Sequence, residues 1–149
     1  MESALNRHAL MTPAPFIGVV TMRNVLIIGA GGAIGAVLRY LVVLSTQIFK
    51  DKIPLPLGTL LVNVLGCLLI GFLATLAESG NLLSNESRNF LIVGILGAFT
   101  TFSTFGYESV SLLKSNGQFH FFANLGLQLI LGLSAVWAGM TLARLFQRG

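Results

Sequence analysis

Apolar residues along this 149-residue chain gather into four long runs, at about 25–46, 57–76, 90–113 and 121–145. Each has the ~20 residues that a helix needs to cross a hydrocarbon core. The stretches between them, KDKIPLP, ESGNLLSNESR and KSNGQ, are polar or carry helix breakers. The pattern predicts an all-α integral membrane protein of four transmembrane helices with short connections, alternating in direction, both termini on one side. No repeat of solenoid length and no low-complexity tract interrupts it. Four helices can hardly enclose a pathway between them, so an oligomer is expected on geometric grounds.

Residues 1–21, MESALNRHALMTPAPFIGVVT, stand apart from this pattern and hold two of the four prolines. A signal peptide would need a basic start, a longer apolar core and a small-residue cleavage site. Met22 followed by Arg23 makes a more natural beginning for the first helix. Residues 1–21 are therefore expected to be a dispensable extension, the product of a misassigned start codon, with residues 22–149 as the functional domain.

Polar and small residues inside the runs carry the next level of information. The opening of the first, VLIIGAGGAIGAVLRY, has the look of a dinucleotide-binding turn, but Ile34 occupies the third glycine position and no aqueous domain follows. Gly31 with Gly35, and Gly32 with Ala36, are spaced four apart, as in closely packed membrane helices. Arg39, two turns on, is either an interfacial charge that snorkels or an anion-attracting charge near a pore mouth. The second run places Thr59, Asn63, Cys67 and Gly71 on one stripe at spacing four. Asn63, the strongly polar side chain near its middle, either bonds a neighbouring helix or lines a pore with its NH2 group. The fourth run repeats the theme with Asn124, Gln128, Gly132, Ala135 and Gly139, while Trp137 lies on another face.

The third run reads GILGAFTTFSTFGYES over 94–109. Gly94 and Gly97 weaken a helix, and the threonines behind them offer hydroxyls to freed backbone groups. A break near the bilayer midplane is expected, with unwound carbonyls able to hold a small hard cation. Phe99, Phe102 and Phe105 recur every three residues. They are either packing residues of a membrane helix or, because an aromatic ring has a positive edge, rings turned edge-on to a narrow path that attract an anion, with hydroxyls beside them to replace its water. Glu108 is either a vestibule residue or a helix-end charge.

Composition and charge narrow the class. Hydrophobic residues make up 54% of the chain and charged ones 9%, against about a quarter charged in a soluble domain. The net charge of +4 is scattered in ones and twos and forms no patch for nucleic acid. The lone Cys67 excludes an intramolecular disulfide and fits a small residue at a helix contact. Arg7, Arg23, Arg88, Arg144 and Arg148 fall on the terminal side, against Arg39, Lys50, Lys52 and Lys114 on the other. That near-tie leaves little orientational bias, so an antiparallel dimer of oppositely inserted copies is compatible with the chain.

Three motifs, GGAIGAVLRY (31–40), GTLLVNVLGCLLIGF (58–72) and GAFTTFSTFGYE (97–108), stand in order along the chain. Together they strongly resemble the small bacterial fluoride channels called Fluc or CrcB, over about residues 22–146. The resemblance implies an antiparallel, dual-topology homodimer in the inner membrane, with two passive fluoride pores and a structural sodium ion at the dimer interface. By motif it assigns Phe102, Phe105, Asn63, Ser103 and Thr104 to the fluoride path and the carbonyls of Gly97 and Thr100 to sodium. Arg39 and Glu108 match the family's arginine and glutamate near the pore mouth. The family's polar track on the fourth helix often uses hydroxyls; here Asn124 and Gln128 occupy those positions. No nucleophile or acid–base pair is discernible, so no enzyme is expected. The rival readings are a small proton-coupled multidrug exporter, which needs a carboxylate that the first run lacks, and a non-transporting membrane scaffold, which leaves Asn63 and the hydroxyl cluster unexplained.

Overall fold

The computed structural model describes residues 21–78, 83–115 and 117–148. The expected N-terminal extension, apart from Thr21, lies outside them. Helix α1 spans Met22–Ser45, and the Thr21 hydroxyl caps it by accepting the Asn24 N–H at 3.2 Å. Helix α2 spans Leu57–Glu78. The third segment is composite. Its first part, α3, comprises Asn85–Arg88, a wider π-helical stretch Asn89–Leu96 and a last turn Gly97–Phe99. Its second part, α4, runs Phe102–Ser115, and α5 follows over Gln118–Phe146. Taken with the third segment as one, four segments among the described residues are long and apolar enough to cross a membrane. The third reaches several residues past its apolar run, because the Ser84 hydroxyl accepts the Ser87 N–H and starts the helix in polar sequence.

The expected break is present, at Thr100 and Thr101 in the middle of the 31-residue third segment. Thr100 leaves the helix with φ −80° and ψ 158°, an extended conformation. The glycines 94 and 97 do not themselves unwind. Both stay helical, and the interruption falls on the threonines just after them.

Two pairs of parallel helices build the chain: α1 lies along α3, and α2 along α5. Glycines let the members of each pair touch backbone to backbone. A Cβ at Gly31 would overlap the Phe90 carbonyl, and one at Gly35 the Ile95 carbonyl. Likewise a Cβ at Gly71 would meet the Val136 carbonyl and one at Gly139 the Leu68 carbonyl. The second pair keeps one register: Asn63 meets Gln128, Gly132 faces Cys67, and Gly71 faces Val136, each 65 residues apart. A Cβ at Gly32, by contrast, would meet only Ala98, at an ordinary 3.9 Å, so of the two spaced pairs on α1 it is Gly31 with Gly35 that makes the close contact. Trp137 is on the outer surface.

Candidate functional site

The break is held from outside its own segment. In a continuous helix the Thr101 N–H would bond the Gly97 carbonyl. Here it donates to Asn63 Oδ1 on α2 at 3.0 Å, while Asn63 Nδ2 donates back to the Thr101 carbonyl at 3.3 Å. One side-chain amide thus satisfies both backbone groups of the residue at the break. The flanking hydroxyls close the two helix ends. Thr100 Oγ1 donates to the Leu96 carbonyl at 3.0 Å, and Thr101 Oγ1 accepts the Thr104 N–H at 3.2 Å as the cap of α4. Gly66, one turn beyond Asn63, leaves room for the Thr100 methyl, which a Cβ there would overlap.

Around the break lies a cavity of about 370 Å³. Asn63, Gly97, Thr100, Phe102, Phe105 and Gln128 are in its wall, with apolar residues of α2, α3 and α5. The Phe102 and Phe105 rings stand edge to face, centroids 5.6 Å apart and planes at 62°. They differ in setting: Phe105 is 9% exposed and Phe102 83%. Only the first is fixed by packing within the chain. Asn63 Nδ2 also donates to Gln128 Oε1 at 3.1 Å. Gln128 Nε2 is buried with no hydrogen-bond partner among the described residues.

A second cavity, of about 300 Å³, shares Thr101 with the first and gathers Arg39, Thr59, Thr104 and Glu108. Glu108 Oε2 is buried there and has no hydrogen-bond partner among the described residues. A third, of about 500 Å³, shares Thr59 and Glu108 with the second and opens at the Pro-containing connection beside Lys50. The three spaces therefore adjoin through common walls, from the α1–α2 connection to the phenylalanines.

The expected residues do not all meet. Asn63, Phe102, Phe105 and Gln128 come together, and Arg39, Glu108 and Thr104 form the neighbouring group. Ser103 lies on the exposed surface, its Oγ 3.4 Å from Thr101 Oγ1, and is in none of these walls. Asn124 is 1% exposed and donates to Ser109 Oγ at 2.9 Å, joining α5 to α4 away from the cavities. Sequence reasoning gave Thr101 no site of its own, although it stands in the walls of both the first and the second cavity. The signal was its place in the hydroxyl cluster, and nothing local distinguished it from Thr100.

Residues 26–140 match the family model described as CrcB-like protein, Camphor Resistance (CrcB). The chain is 44% identical over 124 residues to the fluoride-specific ion channel FluC of Methanococcus maripaludis, covering 83% of this chain and 95% of that protein. It is 46% identical over 126 residues to the FluC of Chloroflexus aurantiacus, covering 84% and 98%. With the FluC of Dehalococcoides mccartyi it shares 41% identity over 128 residues, 85% of this chain and 97% of the relative. These relatives are named as ion channels, a non-enzymatic function. With the family model matched across most of every membrane segment and such identity over nearly the full length of these relatives, the chain belongs to the CrcB family.

Proposed function

We propose that this protein is a passive, fluoride-selective channel that lets fluoride leave the cytoplasm and so limits its toxicity. The observation that carries the reading is the cavity at the break, where two phenylalanines and two amides meet, in a chain whose relatives are named fluoride-specific. Fluoride is small and strongly hydrated, so a path must return its hydration energy with donors at close range. Asn63 and Thr104 bring amide and hydroxyl groups, Phe102 and Phe105 bring ring edges, and Ser103, on the outer surface of a single chain, would add its hydroxyl only where a second copy covers it. Arg39 beside Glu108 belongs to the wider approach, where a positive charge raises the local anion concentration.

The working unit on this reading is an antiparallel, dual-topology homodimer in the inner membrane, surrounded by lipid. Phe102, exposed on one chain, becomes part of a pore once a second copy covers it. A structural sodium ion at the interface suits the break: the Gly97 carbonyl has lost its helical donor to Asn63, and Thr100 is extended. Carbonyl oxygens are the donors a small hard cation takes. The carbonyls of Gly97 and Thr100 would hold it, and the ion would supply fixed positive charge. A proton-coupled exporter is disfavoured because α1 contains no Asp or Glu.

Release from proteoliposomes loaded with fluoride or chloride, followed with ion-selective electrodes, tests the reading. Wild type is expected to release fluoride and retain chloride. An edge-to-face contact between two rings is worth roughly 0.5–1.5 kcal/mol; with a ring edge on an anion taken to be of that order, Phe102→Ala should slow fluoride release by ~2- to 10-fold. A folded dimer that retained both ions would return the scaffold reading to the front.

A further inference from the structure

The two helix pairs keep register differently. Along α2 and α5, Asn63, Cys67 and Gly71 face Gln128, Gly132 and Val136, so each step of four residues on one helix meets a step of four on the other. Both are α-helical throughout, with ~3.6 residues to the turn. Along α1 and α3 the steps are unequal. Gly31 lies over the Phe90 carbonyl and Gly35 over the Ile95 carbonyl, so a step of four on α1 is met by a step of five on α3. That step falls within the π-helical stretch Asn89–Leu96, whose turns are wider, and at its end the Gly97 N–H still reaches five residues back to the Ile92 carbonyl. One turn of the π form thus takes up an additional residue without moving either glycine contact.

We infer that this stretch is a positioning device of one residue's length, which decides which side chains reach the site at the break. If residues 89–96 were α-helical with Phe90 kept on Gly31, Gly94 would stand opposite Gly35, and each later residue would occupy the place now held by its successor. Thr100 instead of Thr101 would then meet Asn63. Phe99 would be aimed into the niche that the Thr100 methyl fills at Gly66, and Thr101 and Thr104 would stand where Phe102 and Phe105 now form the cavity wall. The glycines of α1 hold the device in place, because a Cβ at either would overlap the carbonyl beneath it. Wide turns of this kind recur at functional sites; here the turn acts at a distance, through the phase of the chain that follows it. The inference goes beyond the fluoride-channel reading, since the register rests on packing within the chain, whatever ion passes.

Such a device tolerates a change of chain length in one direction only. Deletion of Val93, an exposed residue of the stretch, brings Phe90 and Ile95 four residues apart, so an α turn satisfies both glycines and leaves Thr101 on Asn63. Insertion of one alanine after Val93 adds a residue that neither glycine contact accommodates, and an α-helix turns by about 100° for each residue. The test combines fluoride release from proteoliposomes with amide hydrogen exchange at Thr101, for wild type and the two variants. The deletion is expected to leave both rates within about twofold of wild type. The insertion should slow fluoride release roughly tenfold or more and speed Thr101 exchange by a similar factor, the effect of losing the Asn63 pair. Faster Thr101 exchange in the deletion variant, or its failure to assemble, would overturn the inference. An insertion variant that behaves as wild type would also overturn it, by showing a segment loose in both directions. If the insertion variant does not assemble, deletion of Leu133 takes its place as the comparison. That residue is exposed too, but it lies between Gly132 and Val136, where a step of four faces a step of four. Its loss should lower the unfolding temperature by more than the loss of Val93 does, and equal tolerance would overturn the device. Should wild-type protein release no fluoride, the channel reading would fall, and Thr101 exchange in the same variants would decide the register by itself.

Discussion

At the scale of single residues, the break at Thr100 and Thr101 is a matter of who supplies hydrogen bonds. Two glycines and two threonines in sequence announced a weak point on the third segment. The structure moves it three residues past Gly97: both glycines keep helical geometry, and the segment leaves the helix only at Thr100 and Thr101, where the Thr101 N–H turns to Asn63. Thr101 leaves the ladder because Asn63 offers it a complete alternative pair. Gly66 is the second condition, because any side chain there meets the Thr100 methyl. Gly66→Ala should therefore displace the break. Overpacking of this kind costs roughly 1–3 kcal/mol, to be read as a lowered unfolding temperature of the purified protein and as slower fluoride release. Unchanged values for both would mean that Thr100 has room that its contacts do not suggest.

At the scale of elements, α5 shows how one stripe serves two purposes. Asn124 and Gln128 lie four apart on one face, and spacing alone could not separate their roles. At the level of Asn124 the neighbour is α4, whose Ser109 accepts its bond; one turn on, the neighbour is α2 and the cavity. Asn124 is thus a strut between α4 and α5, and Ser109 in turn donates to the Phe105 carbonyl at 2.7 Å. A membrane-buried hydrogen bond of this kind contributes about 0.6–2 kcal/mol. Asn124→Leu is expected to lower thermal stability by that order while fluoride selectivity over chloride stays as in wild type. Loss of selectivity with unchanged stability would place Asn124 on the ion path instead. The π-helical stretch Asn89–Leu96 had no signature in the sequence, and it coincides with the region where Gly31 and Gly35 press against backbone carbonyls of α3.

At the scale of the whole molecule, a single chain buries little of its own surface. In α1 only 11% of the most apolar window is buried within the chain, and Phe102 is open. These surfaces suit lipid and a second copy. The near-equal lysine and arginine counts on the two sides give the membrane little reason to choose one orientation. A cysteine placed at the exposed Lys52, in a Cys67→Ser background, is expected to react with an impermeant thiol reagent from both sides of sealed vesicles, in about equal parts. Labelling from one side alone would rule out dual topology and with it the antiparallel dimer.

Local sequence was sufficient for everything that depends on solvent preference. It located the four membrane segments to within a few residues, the glycine stripes that let α1 meet α3 and α2 meet α5, and the presence of an interruption among the threonines. It could not say what each polar side chain does, because inside a membrane that is decided by the partner it finds. Asn63 finds its partners 38 and 65 residues away, at Thr101 and Gln128. Phe102 and Phe105 carry the same ring three positions apart, yet packing encloses one and leaves the other open. Such pairings arise from the register and crossing of helices distant in the chain, and only the tertiary structure sets those.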